Sequence, residues 1–595
     1  MGPVNNQKRL FLPDAISIYV QFVIIGSILY GVCYVWKTLN SERRLSGFAV
    51  ATLAEEGLGP KESYLKDSNK TIAAGLKSNS GPFQIITGTG PKLVLQNRFA
   101  DELRNRSELD FNEAFRKDFF AHYPGFDGFR ASLDNPTLIP STLRIKMTQS
   151  LGLVTNHLVD EATAALHELY GENREWHSIA VKQHNLNFIA RLSSRVFLGR
   201  PICRNEKWIE IAKNHTVSGY ITDWPAVDSF LAARDLRAQP FFLRRIKHYF
   251  MPHNKNIRKD CSLKLSPPLL LTRTPERHYA DAKQIINTEV ERRKIRAQII
   301  LASGGKPAKV SDAIGWMVEM AGGKEVDYVA AQLSLTVASI HATTEALTSA
   351  LLDLVTYPEI IPSLRQEIIE ALSTGGWSKQ ALFKMKLMDS FLKESQRLHP
   401  VRSAVWLQRS YAKLLMISFD SLVMVRMIYH GPIWLIYDAN TISVSMNRKV
   451  MRRVTLSDGT VLPVGARLMV AGGFRDPKIY ENPDKFDAHR FFKLREENPN
   501  GAYQYVSTSG DMFGFGHGNH ACPGRFLASS ELKIALAHMI LKYDWKLDQE
   551  DTMPKFFQNE TAHMTNPGMK LMMRRRTEEI DLDLKVDPDL IDVKE

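Results

Sequence analysis

Phe513 to Phe526, FGFGHGNHACPGRF, sets one cysteine in a glycine-rich run just ahead of an apolar stretch. A thiolate is a soft, charged ligand suited to iron or zinc. His517, His520 and Cys522 are three groups able to bind zinc, but the neighbouring glycines do not suggest a closed tetrahedral cage. Haem needs only one axial ligand from the protein. Gly516, Gly518 and Gly524 remove side chains that would obstruct a flat macrocycle. Backbone N–H groups at the start of the next helix would point at the sulfur, and the helix N-terminus would stabilise its charge. Phe513 or Phe515 would shield it from water. The competing reading is a structural cysteine buried beside a glycine turn. Upstream, FLKESQRLHP carries Glu394-x-x-Arg397, an i, i+3 pair on one helix face. Alone, such a pair reads as an ordinary surface ion pair.

The elements that must position these groups belong to a globular chain. It has 595 residues, 44% hydrophobic and 24% charged, enough for a large core or several domains. Lys+Arg number 77 against 64 Asp+Glu, a formal net charge of +13, which suits an anionic membrane surface or an acidic partner. No compact Lys/Arg block interleaves with aromatics, and the run Arg574–Arg576 is too short, so no nucleic acid is expected. Cys33, Cys203, Cys261 and Cys522 are far apart, which argues against a disulfide scaffold and a four-cysteine zinc site. A reducing compartment fits best.

Ala15 to Trp36 is uncharged and reaches roughly 33 Å as a helix, enough to cross a bilayer core. Tyr19, Tyr30, Tyr34 and Trp36 include aromatics suited to the interfaces. Its length argues for an uncleaved anchor over a signal peptide. From about 140 to 400 apolar residues recur at three and four, as in ATAALHELYG and FIARLSSRVFLG, predicting helices. Arg453 to Ala471 alternates about Asp458-Gly459, predicting a β-hairpin. DPKIYENPDKFDAHRFF reads as loop, and helix resumes after Cys522. Val329 to Val355 is long and apolar, but Gln332, His341, Glu345 and Asp353 are spread along it. Polar groups at mid-membrane are expensive, so it reads as a buried core helix.

Phe515-x-x-Gly518-x-His520-x-Cys522-Pro523-Gly524 resembles the cysteine-ligand loop of the cytochrome P450 family, a specific ten-residue signature. Glu394-x-x-Arg397 is similar to the family's ExxR helix, and FDAHRFF to the loop that follows, whose arginine here is Arg490. The motifs occur in order, and the resemblance covers roughly residues 50–576 plus the anchor. It implies a mainly α fold with a smaller β portion behind a single N-terminal transmembrane helix. The corresponding division is a tail at 1–14, the anchor at 15–36, a linker at 37–60, a haem-thiolate monooxygenase domain at 61–576 and an acidic tail at 577–595.

The resemblance implies heme b, with O2 and two electrons inserting one oxygen atom into a C–H or C=C bond; thiolate ligation favours O–O cleavage. Cys522 would be the axial ligand, within the loop of Phe515, Gly516, Gly518 and Gly524. His520 and Arg448 would meet the haem propionates, Arg402 being a weaker candidate. Glu394, Arg397 and Arg490 would be structural. In the long helix the family pattern A-G-x-[DE]-T-T reads Ala338-Ser339-Ile340-His341-Ala342-Thr343-Thr344. The acid becomes His341 and the usual threonine Ala342, so Thr343 or His341, with water, is the candidate proton relay. SIHATT, the cysteine loop and the tail NPGMKLMMRRRTEEIDL are similar to fungal secondary-metabolism members. They imply an apolar, terpenoid-type substrate, electrons from NADPH through NADPH-cytochrome P450 reductase, and an endoplasmic-reticulum membrane with the catalytic domain cytosolic. Ala342 keeps open a reductase-independent rearrangement or dehydration.

Two stretches depart from the family pattern. Ser403 to Ile442 intervenes where the next strand should follow LHPVR, and Asp260 to Arg277 interrupts a helical pattern. Both read as atypical insertions of the kind a retained intron produces.

Overall fold

Apolar residues at helical spacing build the main core of this chain, and a long-range sheet closes one side of it. The computed structural model describes residues 43–53, 56–123, 137–217, 275–307, 310–400, 443–552, 555–559 and 562–583, with a few isolated positions between. The 15–36 anchor lies outside the described residues apart from 25–27, as do 403–442 and all but the last three residues of 260–277. Arg402 is likewise outside them.

The elements that matter to the site are α1 (Phe111–Asp118), α2 (Leu151–Tyr170), α3 (Val181–Leu198), α4 (Pro275–Ala302), α5 (Tyr328–Thr356), α6 (Lys386–Leu398), α7 (Arg490–Glu497) and α8 (Arg525–Lys542). α5 starts where the Asp327 side chain accepts from Ala330 N at 3.0 Å, capping an otherwise orphan donor. It packs on α3, α6 and α8. Its polar residues find partners inside the protein: Thr344 and Thr348 hydroxyls donate to carbonyls one turn back, each at 2.7 Å. Glu345 accepts from Thr565 N and Oγ1 at 2.9 and 2.8 Å and pairs with Lys182 of α3. These ties make α5 a core helix. Among the described residues no helix is long and apolar enough to cross a membrane.

Strands β1 (Phe83–Thr87), β2 (Gly90–Leu95), β3 (Leu109–Asp110), β5 (Val444–Val450) and β8 (Arg467–Ala471) form one sheet in the order β1-β2-β8-β5-β3. β2 and β8 are parallel, with Leu93 opposite Leu468; the other pairs are antiparallel. A second sheet has the order β4-β12-β9, from β4 (His177–Ala180), β9 (Tyr543–Leu547) and β12 (Lys570–Arg575). Two small hairpins complete the β portion, β6 (Val454–Thr455) with β7 (Val461–Leu462) and β10 (Phe556–Asn559) with β11 (Ala562–Thr565).

The hairpin expected over 453–471 is shorter than its alternation suggests. Gly459, at φ 85°, turns β6 into β7, but Arg467–Ala471 leaves to become β8. Its burial on both faces, between β2 and β5, is what draws it away. The loop read over 476–492 ends three residues early, since Arg490, Phe491 and Phe492 lie in α7. Arg574, Arg575 and Arg576 pair with Asp544, Glu578 and Glu579, at 3.1, 2.8 and 2.7 Å, so the basic run is neutralised locally.

Candidate active site

The cysteine loop is a bare backbone arch with a single 3-10 turn, Gly518–His520, before α8. Gly516 and Gly518 sit at φ 71° and 69°, a conformation other residues adopt only with strain. Gly516 N donates to Phe513 O at 2.8 Å, and Cys522 N to Phe515 O at 2.7 Å, which brings the cysteine back under the arch. Phe513 is fully buried against Phe474, ring centroids 5.8 Å apart, and Phe515 meets Tyr505 edge-on at 5.1 Å.

Cys522 is a free, partly buried thiol. Burial pushes its pKa up, while the backbone N–H groups of Gly524 and Arg525, with the charges of Arg525 and Arg144, pull against it. The N–H groups at the start of α8 therefore do aim at the sulfur. They are the donors that a metal-bound thiolate needs.

Two cations reach the loop from distant parts of the chain, beside the loop's own His520. Arg448, on β5, is only 3% exposed and has no carboxylate within ion-pair distance among the described residues. Its Nη1 donates to Asn447 O at 2.7 Å, and its guanidinium lies 5.8 Å from the Phe111 ring. Burial pushes its pKa down to about 10, against the pull of Asp110. A bulge between Ser445 and Arg448, with Met446 at φ 55°, shifts the register just before this residue, which pairs with Leu468. His520 is exposed, its ring 6.0 Å from Phe111. Loss of water on its inner side, then the charge of Arg448, pushes it down to about 4, so it is neutral at pH 7. Arg144, from a π-helical turn at Thr142–Met147, donates to Asn519 O.

Glu394, Arg397 and Arg490 meet in a closed knot. Arg397 clasps Glu394 with two bonds of 2.8 Å, and both side chains are fully buried. Arg490, at the start of α7, reaches the same carboxylate at 3.1 Å. The spare guanidinium donors hold carbonyls of the irregular segment between β8 and α7. Arg397 takes Phe474 O at 2.8 Å and Pro483 O at 2.5 Å; Arg490 takes Glu481 O at 2.7 Å and Lys485 O at 3.0 Å. Tyr480 lies 5.1 Å from Arg397 and 6.0 Å from Arg490.

On α5, Ala338 is exposed and Val337, Ser339, Ala342 and Ala346 are partly so, while the helix is otherwise buried apart from its end residues Tyr328 and Thr356. Ala338, Ser339, Ala342 and Ala346 form one narrow stripe of small side chains at helical spacing. His341 and Thr343 flank it on either side, and each is only 4% exposed. The Ser339 hydroxyl, the one hydroxyl of the stripe, is buried without a hydrogen-bond partner. Arg144 and Ser339 are the residues sequence reasoning missed. Nothing local marks Arg144; Ser339 stands in the quoted helix pattern at the position of the second residue.

A free thiol under amide donors, a buried guanidinium without an ion-pair partner among the described residues and a partly accessible wall of small residues are features that a haem-thiolate site would use. The profile of the family described as Cytochrome P450 matches residues 253–417 and 439–573. A cytochrome P450 monooxygenase of Alternaria brassicicola, bsc2, is 37% identical over 96% of this chain and 97% of its own. Cytochrome P450 monooygenase 1 of Gibberella fujikuroi is 36% identical over 84% and 98%, respectively. A solved structure described as retinoic acid bound cyanobacterial CYP120A1 has the same fold, with a TM-score of 0.54 at 13% identity, covering 86% of this chain and 95% of that one. The chain belongs to the cytochrome P450 family, and it is a P450 monooxygenase.

The family implies haem, and the residues fit it. Cys522 would supply the thiolate, and Arg448 and His520 would face the acidic edge of the macrocycle. Bound there, haem supplies the oxygen chemistry; the chain supplies the sulfur, its amide donors and a dry enclosure.

Proposed function

We propose that the chain inserts one oxygen atom from O2 into an apolar, terpenoid-type intermediate of secondary metabolism, with electrons from NADPH through NADPH-cytochrome P450 reductase. The observation that carries this reading is the accessible stripe Ala338, Ser339, Ala342 and Ala346, a wall of small side chains with one hydroxyl. Such a wall gives a rigid polycyclic hydrocarbon room and offers a charged substrate no partner. Thr343 and His341 border it as candidates for carrying protons inward. The net charge of +13 suits an acidic reductase.

Residues 15–36 form the proposed single-pass anchor, with the catalytic domain on the cytosolic side of the endoplasmic reticulum. The family profile leaves 418–438 unmatched, inside the atypical 403–442, which supports reading that stretch as an intron that the spliced transcript lacks. Sequencing the transcript across it tests this; reads that contain it refute it.

The functional test is the CO difference spectrum of the dithionite-reduced protein in microsomes, followed by a screen of terpenoid substrates with reductase. A thiolate-type Soret band and NADPH-dependent hydroxylation are expected. Turnover that proceeds without NADPH would replace oxygen insertion by rearrangement or dehydration.

A further inference from the structure

The cysteine loop rests on more than its own helix. Three consecutive loop residues touch one short turn more than 400 residues upstream. His517 Nε2 meets Asp101 Oδ1 at 3.0 Å, while its Nδ1 meets Thr508 Oγ1 at 3.0 Å. Gly518 packs so closely that a Cβ there would lie 2.4 Å from Arg104 O. Asn519 N donates to Asn105 Oδ1 at 2.9 Å. His517 is buried, whereas the Asp101 side chain is 63% exposed and also meets Arg104 at 3.0 Å.

We infer that the turn Asp101–Asn105 is a docking brace for the ligand loop, with His517 and Asp101 as its positioning pair. The inference rests on the haem-thiolate reading of Cys522. The loop has one 3-10 turn as its only regular structure, so it cannot fix its own height above α8. Anchoring residues 517–519 outside the loop fixes where the chain re-enters at Cys522. That keeps the Gly524 and Arg525 amides on the sulfur. His517 touches neither thiol nor macrocycle in this role; it acts through the backbone between itself and Cys522.

The test uses the purified holoenzyme. The rate at which the thiolate-type reduced-CO band converts to a blue-shifted one is measured at a fixed elevated temperature, with the haem reduction potential alongside. Asp101→Ala removes the brace from outside the loop, at a side chain that is 63% exposed. Asp101→Ala should speed conversion about fivefold, the factor one net hydrogen bond gives, and His517→Ala, which also loses the Thr508 contact, at least as much. The double variant should be no faster than His517→Ala alone, and His517→Gln should recover part of the loss. Arg104→Ala, which removes only the outer ion pair, should convert as the wild type does. Wild-type rates in Asp101→Ala and His517→Ala, or effects that multiply in the double variant, would overturn the brace. A wild-type protein with no thiolate band would instead remove the haem-thiolate reading, and the brace with it.

Discussion

Replacing Glu394 by Gln keeps the volume of the knot and removes its only carboxylate. Arg397, fully buried, would lose both 2.8 Å bonds in their charged form, and Arg490 would lose its ion pair. Removing one partner of a buried pair costs about 3–5 kcal/mol, because the other charge stays behind. Arg490→Ala is milder. It leaves the two-bond clasp between Glu394 and Arg397 whole, so the carboxylate keeps a charged partner, and the loss is that of hydrogen bonds to a charged group, about 1–3 kcal/mol. The gap between the two is about 2 kcal/mol, or about thirtyfold in an equilibrium constant. A chain of this size unfolds irreversibly, so the assay is the half-life of the Soret band at fixed temperature. Glu394→Gln should shorten it far more than Arg490→Ala. An equal effect, or the reverse order, would mean that the carbonyl contacts of Arg490 and not the shared carboxylate hold the segment, and the reasoning would fail.

Other outcomes follow from the same geometry. Glu531 is buried in α8, where burial raises its pKa to about 8 against a bond from Ser193 Oγ of 2.9 Å. Between its unfolded value, near 4.5, and 8 the folded state holds a proton that the unfolded state releases, so stability falls as pH rises across that window. Glu531→Gln should flatten the fall in Soret-band half-life between pH 6 and 8.5. Lys393, buried and pushed down to about 7, acts in the opposite sense above that pH, so variant and wild type are compared at each pH. Arg448→Met should raise the thermal stability of the apoprotein, which no longer buries an unpaired charge, yet lower haem occupancy in spectral titration. Ser339→Ala and Thr343→Ala should differ in the peroxide released per NADPH consumed; equal values at the wild-type level would exclude both hydroxyls from proton delivery.

The sequence displayed what depends on residue type at fixed spacing. The cysteine arch is local, so its glycines, its aromatic lead and the helix after Cys522 could all be read in fourteen residues. Glu394 and Arg397 are one helix turn apart and could be paired at sight, but that they are buried depends on segments 80–100 residues away. Arg448 was reached through the resemblance; the bulge at Met446 that resets its register is invisible in an alternating strand. Arg144 and Asp101 approach the loop only through tertiary packing, and no periodicity announces them. Alternation over 453–471 overstated the hairpin because a strand buried on both faces and a hairpin arm share the same apolar residues.

The pairing of β2 with β8 has a consequence for how the chain is made. Leu93 waits for Leu468, which follows 468 − 93 = 375 residues later. At ribosomal speeds of about 5–20 residues per second that interval lasts roughly 20–75 s. Through it the first two strands exist as a hairpin with an unpaired apolar edge, while the helices from α2 to α6 are able to collapse. The sheet closes only near the end of synthesis, shortly before Cys522 emerges. Haem capture is thus a late event, and the early hairpin is the part of the nascent chain most in need of a chaperone.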